Sequence, residues 1–239
     1  ASALDGIKYT RKTGIGEIFI IDLIFALIPI SIIGARLYYV IFNFDYYRND
    51  LLSIFKIWEG GLAIYGGIIA SVVYTAYYCH KKSKPFIEVL DIFVGSLILG
   101  QAIGRWGNFF NGEAYGPATT LSFLQSIHLP QFIIDGMNIN GVYHQPLFLY
   151  ESILCLIGFI IIMMIRKRIP ITGVQTFFYC VWYGLGRIII EHFRTDSLYF
   201  MNFKISQIVS LILIIIGIIG FIRIIMIKKS KNKFIVTRI

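Results

Sequence analysis

Residues 205–227 read ISQIVSLILIIIGIIGFIRIIMI, a run whose single charge is Arg223. About 20 apolar residues in helical form cross a bilayer core, so this stretch sets the class of protein. Working outward, five more stretches of the same kind stand at Ile18–Phe42, Gly61–Cys79, Phe86–Gly104, Leu147–Ile165 and Gly173–Ile190. They are continuous apolar runs, not alternating ones. That predicts an all-α, polytopic membrane helix bundle and excludes a transmembrane β-barrel. Composition agrees: of 239 residues, 57% are hydrophobic, and the mean hydropathy is +0.74. A soluble core of that size could not hide so much apolar surface.

The formal net charge of +9 invites a nucleic-acid reading until the charges are located. Lys8, Arg11 and Lys12, then Lys81, Lys82 and Lys84, then Arg166, Lys167 and Arg168, then Lys228, Lys229, Lys231, Lys233 and Arg238 cluster between apolar stretches. The alternate connections carry only Arg48, Lys56, Arg105, Arg194 and Lys204. This is topology, not nucleic-acid binding: the rich set is cytoplasmic and both ends of the chain lie inside. The connection 105–146 then lies outside and holds no Lys or Arg after Arg105. A connection that long is expected to form a small extracytoplasmic cap with short strands. The whole, residues 1–239, reads as one membrane-embedded catalytic domain with no internal repeat of the transporter kind. Ala1 to Gly16 is polar and lacks the apolar core of a signal peptide, and the chain does not begin with Met. The native N-terminus is therefore expected to be absent or processed. Cys79, Cys155 and Cys180 sit in or beside apolar stretches and read as packing residues. His80, His128 and His192 have no partner at metal-ligand spacing, and no metal or organic cofactor is implied.

The informative residues are those that lipid should reject. Gly60, Gly61, Gly66 and Gly67 open the second stretch, and either tight helix contact or irregular backbone lining a cavity explains them. Gly100 to Gly116 brings Arg105, Asn108, Asn111 and Glu113 together among glycines, Gly107 included. Glycine lets backbone N–H groups approach a ligand, and Arg offers a planar fork matched to phosphate oxygens. An interfacial Arg and Trp anchor is the plainer alternative. Tyr183, Arg187, Glu191 and Arg194 fall at i, i+4, i+8 and i+11, one polar stripe on an apolar helix. Either it is a structural ion-pair network, with Glu191 pairing to Arg187 or Arg194, or its net positive charge meets a lipid phosphate between Arg187 and Arg105. Asp22 and Arg36 share a helical face, as partners or as separate site residues, and Glu151 follows Gln145 to Tyr150 near the same outer level. Asp91 and Glu88 lie toward the cytoplasmic end and read as structural.

The stretch Gly104-Arg105-Trp106-Gly107-Asn108-Phe109-Phe110-Asn111-Gly112-Glu113, followed by Gly116, resembles the hallmark motif of the prolipoprotein diacylglyceryl transferase family. Residues 34–39, 58–67, 145–152 and 186–197 resemble further family segments in the right order. The resemblance implies transfer of a diacylglyceryl group from phosphatidylglycerol to the lipobox cysteine of a prolipoprotein in the bacterial cell membrane. It makes Arg105, Asn108, Glu113, Gly116 and Arg187 the essential positions, with Arg105 on the lipid headgroup. The family has seven membrane helices, so the first is expected before Ala1. Many members carry His where Tyr65 stands, and the frequent His-Pro pair is Gln145-Pro146 here.

The chemistry so implied is attack of a thiol on the glycerol carbon that bears phosphate. A thiol pKa of about 8.5 makes the thiolate cost only about 2 kcal/mol at neutral pH, so the leaving phosphate is the harder task. Arg105 and Arg187 are expected as the phosphate clamp, with Asn108 and Asn111 orienting the headgroup. Gly107, Gly116, Tyr183, Glu151, Arg194 and Arg36 complete the expected lipid contacts. Glu113 would hold an arginine or take the thiol proton, and Tyr65 is a weak base and a better hydrogen-bond donor. A lipid or anion transporter using the same arginines is the rival reading, and a catalytically dead scaffold is a third if the first helix is truly missing.

Overall fold

A computed structural model describes residues 14–194, 199–200 and 203–236. Lys8, Arg11, Lys12, Thr195, Asp196, Ser197 and Arg238 lie outside the described residues. Among those described, eight helices are labelled here: α1 Glu17–Phe42, α2 Ile64–Lys81, α3 Phe86–Asn111, α4 Leu121–Ser126, α5 Gln131–Gly136, α6 Leu147–Arg168, α7 Val174–Phe193 and α8 Ile205–Val236. A single helical turn, Phe44–Tyr47, and two 3-10 turns, Leu51–Phe55 and Ile57–Glu59, fill the connection from α1 to α2. Strand is confined to two-residue pairs, β1 Asn138–Ile139 with β2 Val142–Tyr143 and β3 Tyr199–Phe200 with β4 Phe203–Lys204, both antiparallel. The protein is an all-α, polytopic membrane protein. Helices α1, α3, α6 and α8 (to Lys229) are long and apolar enough to cross a bilayer. Their outward faces carry Ile, Leu and Phe, such as Phe25, Ile160 and Ile219, exposed as lipid-facing side chains are.

The chain divides into two compact units at Val89/Leu90. In the N-terminal unit α1 packs on α2 through small residues. A Cβ on Gly66 would strike the Gly34 carbonyl and Tyr38, and one on Gly67 would sit 3.1 Å from the Ser31 carbonyl. Gly60 and Gly61, by contrast, take positive φ of 92° and 71°, so the four glycines divide between irregular backbone and helix contact. Phe19 stacks on Tyr78 at 4.9 Å farther along the same pair.

In the C-terminal unit α7 packs between α6 and α8. Gly158 admits Trp182, whose Nε1 donates to the Leu154 carbonyl at 3.0 Å, and Gly184 admits Ile214. A core of Val94, Ile98, Ala102, Cys155, Ile162, Tyr179 and Cys180 joins α3, α6 and α7. Asp91 is fully buried and accepts from the N–H groups of Gly173 (2.6 Å) and Thr176 (2.8 Å) and from the Thr176 hydroxyl (2.5 Å). It is a side-chain acceptor set at the start of α7, where the helix leaves its first N–H groups without partners. Arg166 ties this end together, donating to Gln175 Oε1 at 2.8 Å and to the Asp91 carbonyl at 2.7 Å.

Helix α3 runs to Asn111, seven residues past the expected end of its span. Its glycines do not break it, because Trp106 and Phe109 are held by ring contacts with Phe148 at 5.3 Å and 4.6 Å. It stops at Gly112, φ 65°, where the N–H groups of Glu113 and Gly112 return to the carbonyls of Asn108 (2.9 Å) and Phe109 (3.1 Å). That pair of bonds is a Schellman termination, which needs a left-handed residue at this place. Beyond it, α4, α5, β1 and β2 fold over a small core of Leu124, Ile133, Ile134, Met137 and Phe148.

Candidate functional site

Three helices of the C-terminal unit bring their charges to one carboxylate. Glu151, in the second turn of α6, is 4% exposed. Its Oε1 accepts from Arg105 Nη2 of α3 at 2.6 Å, and its Oε2 from Arg187 Nη1 of α7 at 3.0 Å. Arg187 also reaches Oε1 at 3.1 Å, and its other terminal nitrogen pairs with Glu191 Oε2, one turn on, at 2.8 Å. Arg105 Nη1 donates to Asn108 Oδ1 at 3.4 Å. Tyr183 interacts electrostatically with Arg105, Glu151 and Arg187, and stacks on Tyr179 at 5.6 Å. Ser152, beside Glu151, donates to the Ala102 carbonyl of α3 at 2.9 Å and so fixes the approach of α6 to α3.

The arrangement orients two guanidinium groups without saturating them. Each carries five N–H donors in a plane, and Arg105 Nε and Arg187 Nε have no acceptor among these contacts. Both side chains keep some accessible surface, 19% for Arg105 and 12% for Arg187. Fixed cationic forks of this kind recognise phosphate and stabilise charge developing on its oxygen.

Several expected site residues stand elsewhere or do other work. Glu113 is exposed and makes no ion pair with a described residue; the carboxylates that hold Arg105 and Arg187 are Glu151 and Glu191. Glu113 instead shares a small cleft with Asn108, Gly112, Tyr115, Met137 and Phe148. Asn111 is exposed at the last position of α3. Gly107 lies within the helix, so its N–H belongs to the helical ladder and not to a loop cradling an anion. Gly116 is a close-approach glycine: a Cβ there would meet Gln145 Cβ at 2.9 Å, and its N–H donates to the Gln145 carbonyl at 3.0 Å. Its carbonyl contacts His144 Nδ1 at 2.9 Å, and the His144 ring lies against Tyr115. Arg194 ends α7.

Arg36 and Tyr65 belong to the N-terminal unit. Arg36, an expected lipid contact, has its side chain turned onto backbone carbonyls of residues 53–61, which leaves it no donor for a headgroup. It is not the partner of Asp22, which lies on the same face four turns away, about 21 Å along the helix. Tyr65 is half-buried in the first turn of α2.

Lys204, counted in the sequence only as a topology charge, closes the end of the helix that carries Arg187 and Glu191. Its Nζ donates to the carbonyls of Glu191 at 2.5 Å and Arg194 at 3.1 Å, capping the negative end of α7 with a cation. The sign that could have found it is a lone Lys just before a long apolar helix, ten residues after the polar stripe ends. Arg187 pairs with Glu191, one of the two pairings expected of that stripe, and with Glu151 of α6 as well.

The profile of the family described as prolipoprotein diacylglyceryl transferase matches residues 4–223. This chain belongs to the prolipoprotein diacylglyceryl transferase family. It is 49% identical over 204 residues to the phosphatidylglycerol–prolipoprotein diacylglyceryl transferase of Listeria welshimeri serovar 6b, covering 85% of this chain and 74% of that protein. The like-named protein of Ligilactobacillus salivarius is 45% identical over 214 residues, 89% of this chain and 78% of its own. That of Enterococcus faecalis is 47% identical over 205 residues, 84% and 74%. The matched span of this family member contains Arg105, Glu151, Arg187, Glu191 and Lys204.

Proposed function

We propose that the Arg105–Glu151–Arg187 cluster is where the chain performs its transfer of a diacylglyceryl group from phosphatidylglycerol to the lipobox cysteine thiol of a prolipoprotein. A C–S bond forms at the glycerol carbon that bears phosphate and the C–O bond to phosphate breaks. A thioether remains on the cysteine, glycerol phosphate leaves with the bridging oxygen, and the thiol proton goes to a base. The observation that carries the assignment is the meeting of two arginines from different helices on Glu151.

Arg105 and Arg187 clamp the phosphate and hold the leaving oxygen as charge builds on it. Glu151 and Glu191 aim the two forks in a low-dielectric setting where a loose guanidinium would be poorly ordered. Asn108 fixes Arg105 and, with Asn111, orients the glycerol headgroup. Tyr183 and Arg194 line the approach, Gly107 and Gly116 allow it, and Glu113, in the cleft with Asn108, is the candidate acceptor of the thiol proton.

In the membrane, the two helices whose glycines, tyrosines and polar stripe dilute their apolar character, α2 and α7, also span. Six crossings put both ends of this chain in the cytoplasm, with α4, α5, β1 and β2 as an outer cap between the third and fourth crossings. The domain is single over residues 1–239 and works in the bacterial cytoplasmic membrane with its site toward the outer face. The deciding experiment gives the purified protein phosphatidylglycerol and a lipobox peptide and looks by mass spectrometry for the diacylglyceryl adduct on cysteine. An adduct that disappears in Arg105→Ala is expected. Adduct formation undiminished in that variant would remove the clamp.

A further inference from the structure

Gln101 stands one helical turn before Arg105 on α3 and therefore on the same face. Its Nε2 donates to the Tyr179 hydroxyl of α7 at 2.9 Å. The other end of the amide, Oε1, is buried and has no hydrogen-bond partner among the described residues. A buried amide that is half satisfied costs more than one neutral hydrogen bond returns, and an apolar pair of the same shape can replace it with no loss of stability. The stability of the bundle therefore does not account for Gln101. A buried polar group of this kind calls for another reason.

That reason lies in what Tyr179 touches. Its ring stacks on Tyr183, one turn farther along α7, with centroids 5.6 Å apart and planes at 10°. Tyr183 interacts electrostatically with Arg105, Glu151 and Arg187. Its hydroxyl makes no hydrogen bond to another described residue, so the setting of the ring comes from the stack and from the core it packs against. Residues four apart thus form two side-by-side series, Gln101 and Arg105 on α3 and Tyr179, Tyr183 and Arg187 on α7. Glu151 joins the two series at the arginines, and the Gln101–Tyr179 bond joins them nearer the starts of both helices.

We infer that Gln101 is a positioning residue: by holding the Tyr179 hydroxyl it fixes the Tyr179–Tyr183 stack and sets the Tyr183 hydroxyl against the phosphate clamped by Arg105 and Arg187. The inference rests on the function proposed above for that cluster. A phenol hydroxyl so placed donates to phosphate oxygen as charge builds there, which places its effect in turnover and not in lipid affinity.

The test is a mutant cycle on the purified protein in detergent, with phosphatidylglycerol and a lipobox peptide, reading kcat, KM for the lipid and the thermal midpoint. Gln101→Met and Tyr179→Phe each remove one partner of the bond and nearly keep its volume. Each is expected to lower kcat about 10- to 100-fold while KM stays within about twofold. The double variant is expected to fall no more than about twofold below the slower single variant, with a thermal midpoint equal to or above that of the unmutated protein. A merely structural bond would not separate turnover from stability in this way. In a Tyr183→Phe background the loss caused by Gln101→Met is expected to shrink to about twofold or less. A loss that persists there in full shows that Gln101 does not act through Tyr183 and overturns the inference. So does an unchanged kcat in Gln101→Met or in Tyr183→Phe, or a double variant whose kcat falls only together with its thermal midpoint. These results leave the proposed function intact as long as the cysteine adduct forms and disappears in Arg105→Ala. If Gln101→Met does not fold, Tyr179→Phe, which loses a single oxygen, carries the same cycle to the same outcomes.

Discussion

Replacing Glu151 by Gln should disable the enzyme more through Arg105 than through Arg187. The carboxylate is 4% exposed and accepts from Arg105 Nη2 at 2.6 Å and from Arg187 Nη1 at 3.0 Å. An amide keeps the shape and one acceptor, but turns its NH2 toward a guanidinium, so one of the two pairings is lost. The residue retained by each arginine differs: Arg187 keeps Glu191 at 2.8 Å, whereas among the described residues Arg105 keeps only Asn108 at 3.4 Å. A hydrogen bond to a charged group contributes about 1.5–3 kcal/mol. Loss of one should therefore lower kcat/KM by about 10- to 150-fold. The assay is release of glycerol phosphate from phosphatidylglycerol in detergent, with lipobox peptide in excess. The protein should still purify as a folded species, because Ser152 and Phe148 continue to fix α6. Unchanged kcat/KM would refute the idea that Glu151 aims the clamp. Tighter lipid binding with intact turnover would refute it differently, by showing that the carboxylate competes with phosphate for the arginines.

Arg105→Lys should fail nearly as badly as Arg105→Ala in the cysteine-adduct assay, because a point charge cannot hold Glu151 and a phosphate in one plane; substantial activity in the Lys variant would count against the planar clamp. Asp91→Ala strips three hydrogen bonds from the start of α7. It should destabilise the protein by about 2–4 kcal/mol, seen as a lowered thermal midpoint in detergent, while the surviving folded enzyme keeps its KM for lipid. Gly66→Val places carbon against the Gly34 carbonyl and Tyr38. The yield of folded protein should drop sharply, and a normal yield with normal protease resistance would contradict the close crossing of α1 and α2.

The helices were legible because an uninterrupted apolar run has few alternatives in a chain of this composition. Their ends were less so. The glycines after Gly104 read as a loop, yet aromatic contacts made by Trp106 and Phe109 with Phe148 carry the helix on to a left-handed stop at Gly112. Those contacts join residues about forty positions apart, which no local pattern encodes. The site residues were legible singly, since each is a polar group in an apolar setting, but their pairings were not. Glu113 and Glu151 look equally able to hold Arg105 by sequence, and only the packing of α6 on α3 chooses Glu151. Arg36 shows the converse: a buried cation has the same signature whether it meets a lipid or five carbonyls of its own chain. Asp91 reads as structural from its depth, and its place at the head of α7 supplies the reason.

The small residues along two of the helix pairs also govern traffic. Between α1 and α2 the backbone of Gly66 reaches that of Gly34, and between α7 and α8 Gly184 faces the Ser210 carbonyl while Gly217 faces that of Phe177. Nonbonded carbons need about 3.5–4.0 Å of separation, and at these levels there is no width left for a hydrocarbon tail. Both seams are shut to acyl chains. In the C-terminal unit, the tails of a donor lipid therefore do not enter between α7 and α8 at these levels.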